Sequence, residues 1–354
     1  MLENKQYIPY QSIILSFLAV VVMTAFLYFA SPIIVPLVVA VAFAYILSPP
    51  IFLLKKLKIP HPLAVIIVLV FATLALAVIG YFLFLQVASL VQTLPSYWNS
   101  MVEHSLKLLD VYKKIFPEGK GLDVNSLQLK DLSGVTKFLF RGLGSSLAFL
   151  SSLILVLFFT FFILNDQEML KRKFIKIFDK SGKGTAAIIL EEINKQIRNY
   201  LVIQFLVSLA LSVIFTIGFS IIGVNYAYIW GPLAGILNVI PNVGAVISTI
   251  PPMIVAGIQF GKLMPVLWVL ILSVVLQNLE GNIIKPKLYG RSMNLNPLAV
   301  LVSLVYWTWI WGAIGIVLAI PITAAIKVIC DHFESLEPIS VLLGGNKEKE
   351  VDNS

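Results

Sequence analysis

Glu280 is the residue whose type and setting point first to chemistry. It lies near the end of an apolar run that begins at Pro265, within the polar segment Gln277-Asn278-Leu279-Glu280-Gly281-Asn282-Ile283-Ile284-Lys285-Pro286-Lys287. On a helix, Ser273, Gln277 and Glu280 share one stripe, and Asn278, Asn282 and Lys285 share a neighbouring one. A carboxylate at membrane depth is costly unless it faces a cavity or a partner. Desolvation disfavours its charged form and a nearby cation favours it, so its protonation can be coupled to whether Lys285, a solute or a metal cation is in reach. This makes Glu280 the principal candidate group, with Gln277 and Asn282 as polar neighbours and Lys285 as charge partner. Pro286 has no amide, and in a regular helix it would leave the carbonyl of Asn282 free beside Glu280. The alternative is a Glu280 pair with Lys285 or Lys287 that only locks the helices together.

A second group of candidates comes from interrupted apolar stretches. Trp230 to Ile258 contains Pro232, Pro241, Pro251 and Pro252 with Gly231, Gly235 and Gly244. Asn296 to Phe333 would exceed about 50 Å as one continuous helix. Both stretches must break. Within a helix, Pro241 would free the carbonyl of Leu237, Pro251 that of Ile247 and Pro321 that of Val317. Such carbonyls persist at membrane depth only inside protein or beside a water-filled cavity. Paired, broken apolar segments are the sequence pointer to a transport site, so Asn238, Pro241, Asn242, Gly244 and Pro251 are expected to line a polar passage. Kinked ordinary spans remain the alternative. The two stretches also echo one another loosely: Pro232-Leu233-Ala234, Gly244-Ala245-Val246 and Ile250-Pro251 against Pro297-Leu298-Ala299, Gly312-Ala313-Ile314 and Ile320-Pro321.

These residues must be held by a membrane-embedded scaffold. Apolar residues make up 59% and charged residues 12% of the 354-residue chain, and the mean hydropathy is +0.94. Soluble domains are nearer half apolar and a quarter charged, so the expected fold is an all-α polytopic integral membrane protein of about eight membrane segments. The two broken segments are either re-entrant hairpins or full spans. As hairpins they leave Lys285, Lys287 and Arg291 on the cytoplasmic side; as spans they place those cations outside. The positive-inside tendency favours hairpins.

Along the chain, residues 1–12 form a cytoplasmic N-terminus and residues 13–91 three membrane helices. Residues 92–143 form an extracytoplasmic helical insertion that begins around Pro95, Tyr97 and Trp98, and residues 144–164 a fourth span. Residues 165–200 form a basic cytoplasmic amphipathic segment, 201–330 the transport core and 331–354 a cytoplasmic tail. Lys55, Lys56 and Lys58, together with the cations from Lys171 to Lys183, fix the same cytoplasmic side. The net charge of +8 is therefore a matter of orientation and anionic headgroups, and nucleic acid is not an expected partner.

Other function classes lack their parts. Gly182-Lys183-Gly184-Thr185 has neither the glycine spacing nor the Lys-Ser/Thr adjacency of a phosphate-cradling loop, which speaks against an ATP-driven pump. Glu280 has no second carboxylate at membrane depth, and no His-Glu-x-x-His run exists, which speaks against an intramembrane enzyme. His61, His104 and His332 are too scattered for a metal site, and Cys330 is the single cysteine, so no cofactor, metal or internal disulfide is expected. A structural or partner-binding membrane protein stays open as a second class.

The motifs resemble the autoinducer-2 exporter family of bacterial and archaeal permease-like proteins. The resemblance rests on Leu237-Asn238-Val239-Ile240-Pro241-Asn242-Val243-Gly244, then Ile250-Pro251-Pro252 with Gly257, then Gln277 through Gly290. It continues through Asn296-Pro297-Leu298 and Trp311-Gly312-Ala313-Ile314-Gly315 with Ile320-Pro321. The family often carries an aromatic and a second proline around the first motif, where this chain has Asn242 and Ala245. The resemblance implies eight membrane segments with a soluble insertion after the third, and the lysine placement adds the expectation of a multi-pass cell-membrane protein with both termini cytoplasmic. The resemblance also implies ion-coupled export of a small polar solute, or sodium/proton antiport in some members, and a homo-oligomer, pentameric where described.

Overall fold

The computed structural model describes residues 10–115, 146–178, 184–240, 243–289 and 295–344. Apart from one isolated backbone bridge between Leu295 and Gly344, regular structure among them is helical. In hydrocarbon every backbone amide and carbonyl must be paired within its own segment, and a helix does this. The helices are α1 (Tyr10–Phe29), α2 (Ser31–Lys56), α3 (His61–Ile115), α4 (Ser146–Phe178), α5 (Thr185–Ile222) and α6 (Ala227–Leu237). They continue with α7 (Val243–Phe260), α8 (Leu263–Leu279), a π-helical turn (Glu280–Ile284), α9 (Lys285–Tyr289), α10 (Pro297–Asp331) and α11 (Glu337–Leu343). Among the described residues, α2, α3, α4, α5, the helix from Leu263 to Leu288 and α10 are long and apolar enough to cross a membrane, and α1, α6 and α7 are shorter apolar helices.

Pro95 does not end α3, although the stretch apolar enough to cross a membrane stops at Thr93. α3 continues through it to Ile115, so the first part of the expected insertion is a direct extension of a membrane helix. A proline costs a helix one backbone bond, and here the hydroxyl of Thr93 bonds the carbonyls of Ser89 and Leu90 just before the gap. The rest of the insertion, including Lys120, lies outside the described residues. The basic segment is likewise helical on both sides, with α4 running on to Phe178 and α5 starting at Thr185.

The chain divides into two units. In the unit formed by residues 46–152 and 199–292, α5 presents two adjacent stripes. Val207, Leu211, Phe215 and Phe219 form the apolar one and pack with Trp230 and Ala234 of α6, Ala256 of α7 and Val269 of α8. Gln204, Ser208, Ser212, Thr216 and Ser220, each four residues from the next, form the polar one. The hydroxyls of Ser212, Thr216 and Ser220 each bond the carbonyl one turn back, which frees the surface for close packing. Gly231 and Gly235 of α6 lie against this surface: a Cβ on Gly235 would stand 1.9 Å from Ser212 Oγ and 2.4 Å from the Ser208 carbonyl oxygen. Small residues four apart let two membrane helices approach this closely.

The first broken stretch is a hairpin. α6 has 11 residues, about 16 Å, and cannot cross about 30 Å of hydrocarbon. The chain turns after Leu237 and returns as α7, so both ends lie together: Asn225 N donates to Gln259 Oε1 at 2.8 Å, and Gln259 Nε2 donates to the Gly223 carbonyl at 2.7 Å. At the tip, the Leu237 carbonyl oxygen lies 1.8 Å from where a Cβ on Gly244 would be, so only glycine fits.

The other unit, residues 1–45, 153–198 and 293–354, contains the second hairpin. Gly312, at φ 61° and ψ −139°, reverses α10 on itself. Ser303 Oγ consequently donates to the Ala319 carbonyl at 3.3 Å, although residues 16 apart in a straight helix would be about 24 Å apart. The hydroxyls of Ser303 and Thr323 bond each other across the same arms. Trp307 and Trp311 pack against Val35 and Leu27, with the Trp311 indole donating to the Leu27 carbonyl at 3.1 Å. The glycine that does here what Gly244 does in the first hairpin is Gly315, whose Cβ would meet the Trp307 carbonyl oxygen at 1.9 Å. The echo read from the sequence thus had the wrong glycine in register: Gly312 makes the reversal, and Gly315 makes the close approach.

Replacing Gly235 by valine should lower the thermal stability of the purified protein in detergent by about 1–3 kcal/mol or prevent folding, because the Ser208 backbone cannot give way. Gly80→Ala, which meets nothing within 4 Å, should leave the melt unchanged.

Candidate functional site

α8 carries the polar stripe as the sequence places it. Ser273 and Glu280 are buried, Gln277 is half-buried, and Asn278 and Asn282 are exposed. The feature that sequence periodicity could not supply is the π turn from Glu280 to Ile284. In an α-helix, residues five apart diverge by about 140° around the axis, so Glu280 and Lys285 would point apart. A π turn closes its backbone bond over five residues, and here Lys285 N donates to the Glu280 carbonyl. The two side chains come onto one side, with Lys285 Nζ 2.6 Å from Glu280 Oε1. Pro286 follows at once and, without an amide, cannot close the next turn in either register.

The same carboxylate oxygen accepts a second bond. Asn238, the C-cap of α6 at the tip of the first hairpin, donates from Nδ2 to Glu280 Oε1 at 3.0 Å. One oxygen of a 4%-exposed carboxylate is thus held by an ammonium on its own helix and an amide from the hairpin. One turn away, Gln277 Nε2 donates to the Ala245 carbonyl at 3.0 Å and to Thr249 Oγ1 at 3.2 Å, tying α8 to the second arm. Thr249 and Ser248 hydroxyls donate to that same Ala245 carbonyl.

Of the sequence candidates, the structure gathers Asn238, Glu280 and Lys285 into one hydrogen-bonded group and places Gln277 beside it. Gly244 is buried in the first turn of α7, and Pro251 lies half-buried within that helix. Pro241 and Asn242 lie outside the described residues. Asn282 is not a neighbour of Glu280 in this arrangement: it is exposed, and its amide bonds Asn278 Oδ1 at 3.3 Å. Pro286 is exposed as well. The carbonyl that meets Gln277 is that of Ala245, not the Ile247 carbonyl singled out through Pro251. Thr249 was not singled out, although its place five residues after Gly244 in a glycine-and-proline arm was the available signal.

The sequence matches the family model described as AI-2E family transporter over residues 17–335. The chain belongs to this family. Among its relatives, the AI-2 transport protein TqsA of Escherichia coli strain K12 is 30% identical over 324 residues, covering 90% of this chain and 92% of that protein. A Borreliella burgdorferi protein, named only as a candidate for transport, is 29% identical over 314 residues, covering 88% and 84%. The Escherichia coli protein YhhT, named in the same way, is 28% identical over 344 residues, covering 95% of each. For this AI-2E family transporter, the class legible from the broken helices is therefore the class of its relatives: a multi-pass membrane protein of the transporter and permease type.

Removing one partner of the buried pair should cost more than removing both. Lys285→Met should lower the unfolding free energy by about 3–5 kcal/mol by stranding a buried carboxylate, and adding Glu280→Gln should restore most of it. A double-mutant cycle on purified protein in detergent, followed by denaturant or thermal unfolding, reads the coupling directly.

Proposed function

We propose that this protein is a secondary, ion-coupled transporter that exports a small polar solute, with Glu280 as the ionisable group that couples binding to transport. The observation that carries the proposal is a single carboxylate oxygen shared between Lys285 and the hairpin-tip residue Asn238 at membrane depth. An incoming proton, cation or solute must compete with those two partners for the carboxylate, and displacing Asn238 changes what holds the hairpin tip. Binding and hairpin position are then linked by the same bond. The name of TqsA makes AI-2 the first solute to test. A sodium/proton antiporter is the second reading, favoured by the same oxygen, since a cation can take the place of the Lys285 ammonium. The protein acts as a carrier and not as an enzyme.

In this reading the protein sits in the cell membrane with both termini in the cytoplasm and works as a homo-oligomer, as the family resemblance implies, with pentamers the first stoichiometry to test. The reading is supported by the first hairpin, which returns to the end it leaves: with it, the positive-inside rule is met by Lys285 and Lys287 lying on the side of Lys55 and Lys56. In a Cys330→Ser background, cysteines at His61 and Lys176 should be shielded from an impermeant reagent applied outside cells, and Lys120→Cys should react. The reverse pattern overturns the orientation.

The deciding measurement is flux in proteoliposomes across a pH series. Glu280→Gln retains an oxygen acceptor for Asn238, and Lys285, about a quarter exposed, can extend toward water, so the variant should fold and assemble. It should lose transport or lose its pH dependence. Wild-type rates with a wild-type pH profile would remove Glu280 from the mechanism.

A further inference from the structure

Along the line from Glu280 to mid-depth, each polar side chain but one is engaged. Glu280 is held by Lys285 and Asn238, Gln277 by Ala245 and Thr249, and the Ser248 and Thr249 hydroxyls by the Ala245 carbonyl. Ser273, one turn beyond Gln277 on the same stripe, is 1% exposed, and its hydroxyl has no partner among the described residues. A serine in a helix ordinarily bonds the carbonyl one turn back, as Ser212 and Ser220 do in α5. Leaving a buried hydroxyl unpaired is costly, so one found beside a polar site calls for a partner.

The facing helix offers the complementary atom. Pro251 and Pro252 remove two consecutive amides from α7, so the carbonyls of Ile247 and Ser248 have no α-helical donor. Ile247 is exposed, but Ser248 and Pro252 are both buried, which puts the Ser248 carbonyl on the inner face. The Gln277 to Thr249 bond sets the register of these antiparallel helices. Counting one turn along each helix from that bond, towards the contact of Gly257 with Val266, helix geometry puts Ser273 level with the turn that the Ser248 carbonyl points into. The next turn of α8 presents Val269 and α7 presents Ala256, both fully buried, so the polar line ends at Ser273 against an apolar plug.

We infer that Ser273 and the Ser248 carbonyl form a subsite for one hydroxyl group of the transported solute. A hydroxyl is the group that both accepts from Ser273 and donates to a carbonyl, and water offers the same chemistry when no solute is bound. This rests on the transport reading above. It makes Ser273 the solute contact at the far end of the site, with Glu280 the coupling group at the near end. The solutes that fit are small and hydroxylated.

The test uses the full-length protein in liposomes, with Cys330→Ser as background and Ser273→Cys as a near-isosteric probe. Reaction with methanethiosulfonate ethylammonium requires a hydrated thiol. Ser273→Cys should react, Val269→Cys should not, and erythritol should slow the Ser273→Cys reaction while betaine at equal osmolality does not. Ser273→Ala should fold as wild type and raise the KM for a transported hydroxylated solute with little change in maximal rate. An unreactive Ser273→Cys in a folded protein would show a dry packing position and overturn the subsite. Equal rates with erythritol and betaine would show water as the sole occupant and overturn it too. Labelling needs no flux, so it can fail while the Glu280→Gln flux experiment succeeds, and the reverse.

Discussion

A carboxylate that is 4% exposed in a chain this apolar has to be compensated where it stands, and much of the surrounding structure follows from that need. Lys285 neutralises Glu280, but five residues of α-helix would carry the ammonium away from it. The π turn is the local solution. It sacrifices regular helix geometry over Glu280–Ile284 and gains a 2.6 Å ion pair on one side of the helix. Gly281, whose added Cβ would meet nothing within 4 Å, and the following Pro286 both weaken the competing α register, glycine by its flexibility and proline by its missing donor. The pair still leaves carboxylate lone pairs to satisfy, and Asn238 supplies the next donor. The first hairpin is therefore attached to the ion pair through chemistry that hydrocarbon enforces.

The hairpin can reach that point because glycines let its backbone approach its neighbours. Gly231 and Gly235 let α6 lie directly on the polar stripe of α5, and Gly244 lets α7 leave the tip against the Leu237 carbonyl. Gly315 repeats the last device in the second hairpin, against the Trp307 carbonyl. In both cases a short first arm and a longer second arm fold back within a single apolar stretch, and the close contact at the bend uses a carbonyl that a side chain would otherwise block. Hydroxyls then close the arms of the second hairpin, through Ser303 and Thr323, as Gln259 closes the base of the first.

Much of this was legible in the sequence because it follows from composition and from residues with a single dominant physical effect. Apolar run lengths, lysine placement and the two proline-broken stretches gave the membrane fold, and the charge rule favoured hairpins over spans. The stripe of Ser273, Gln277 and Glu280 was correct because periodicity holds up to the π turn. The neighbouring stripe also holds for Asn278 and Asn282, which bond each other, and the π turn takes Lys285 off it and onto the side of Glu280. That α3 carries on through Pro95 to Ile115 without a break is not legible locally, because a proline's missing bond can either end a helix or be tolerated within it. Which carbonyl Gln277 meets, and whether Gly312 or Gly315 matches Gly244, depends on the register between facing helices, and a single sequence does not encode that register in any periodic signal.

The two arms of the first hairpin are held by different kinds of force. α6 is fixed by backbone approaches that exist only at one spacing, since a Cβ at Gly231 would stand 1.9 Å from Thr216 Oγ1. Sliding α6 along α5 would bring side chains into that space, so this arm and α5 form a rigid pair. α7 packs in the apolar core through Val255 and Ala256 against Val269 of α8, and towards the tip it is joined to α8 by exchangeable bonds: two from the Gln277 amide and one from Asn238 to Glu280. Water or a polar solute can replace each of these at little net cost, because one hydrogen bond is traded for another. The helix whose contacts can be remade is the one that carries Thr249, the Ser248 carbonyl and the two prolines, facing Ser273. A polar guest entering between α7 and α8 therefore competes first for the Gln277 and Asn238 bonds, while the approach of Gly231 and Gly235 to α5 does not depend on them.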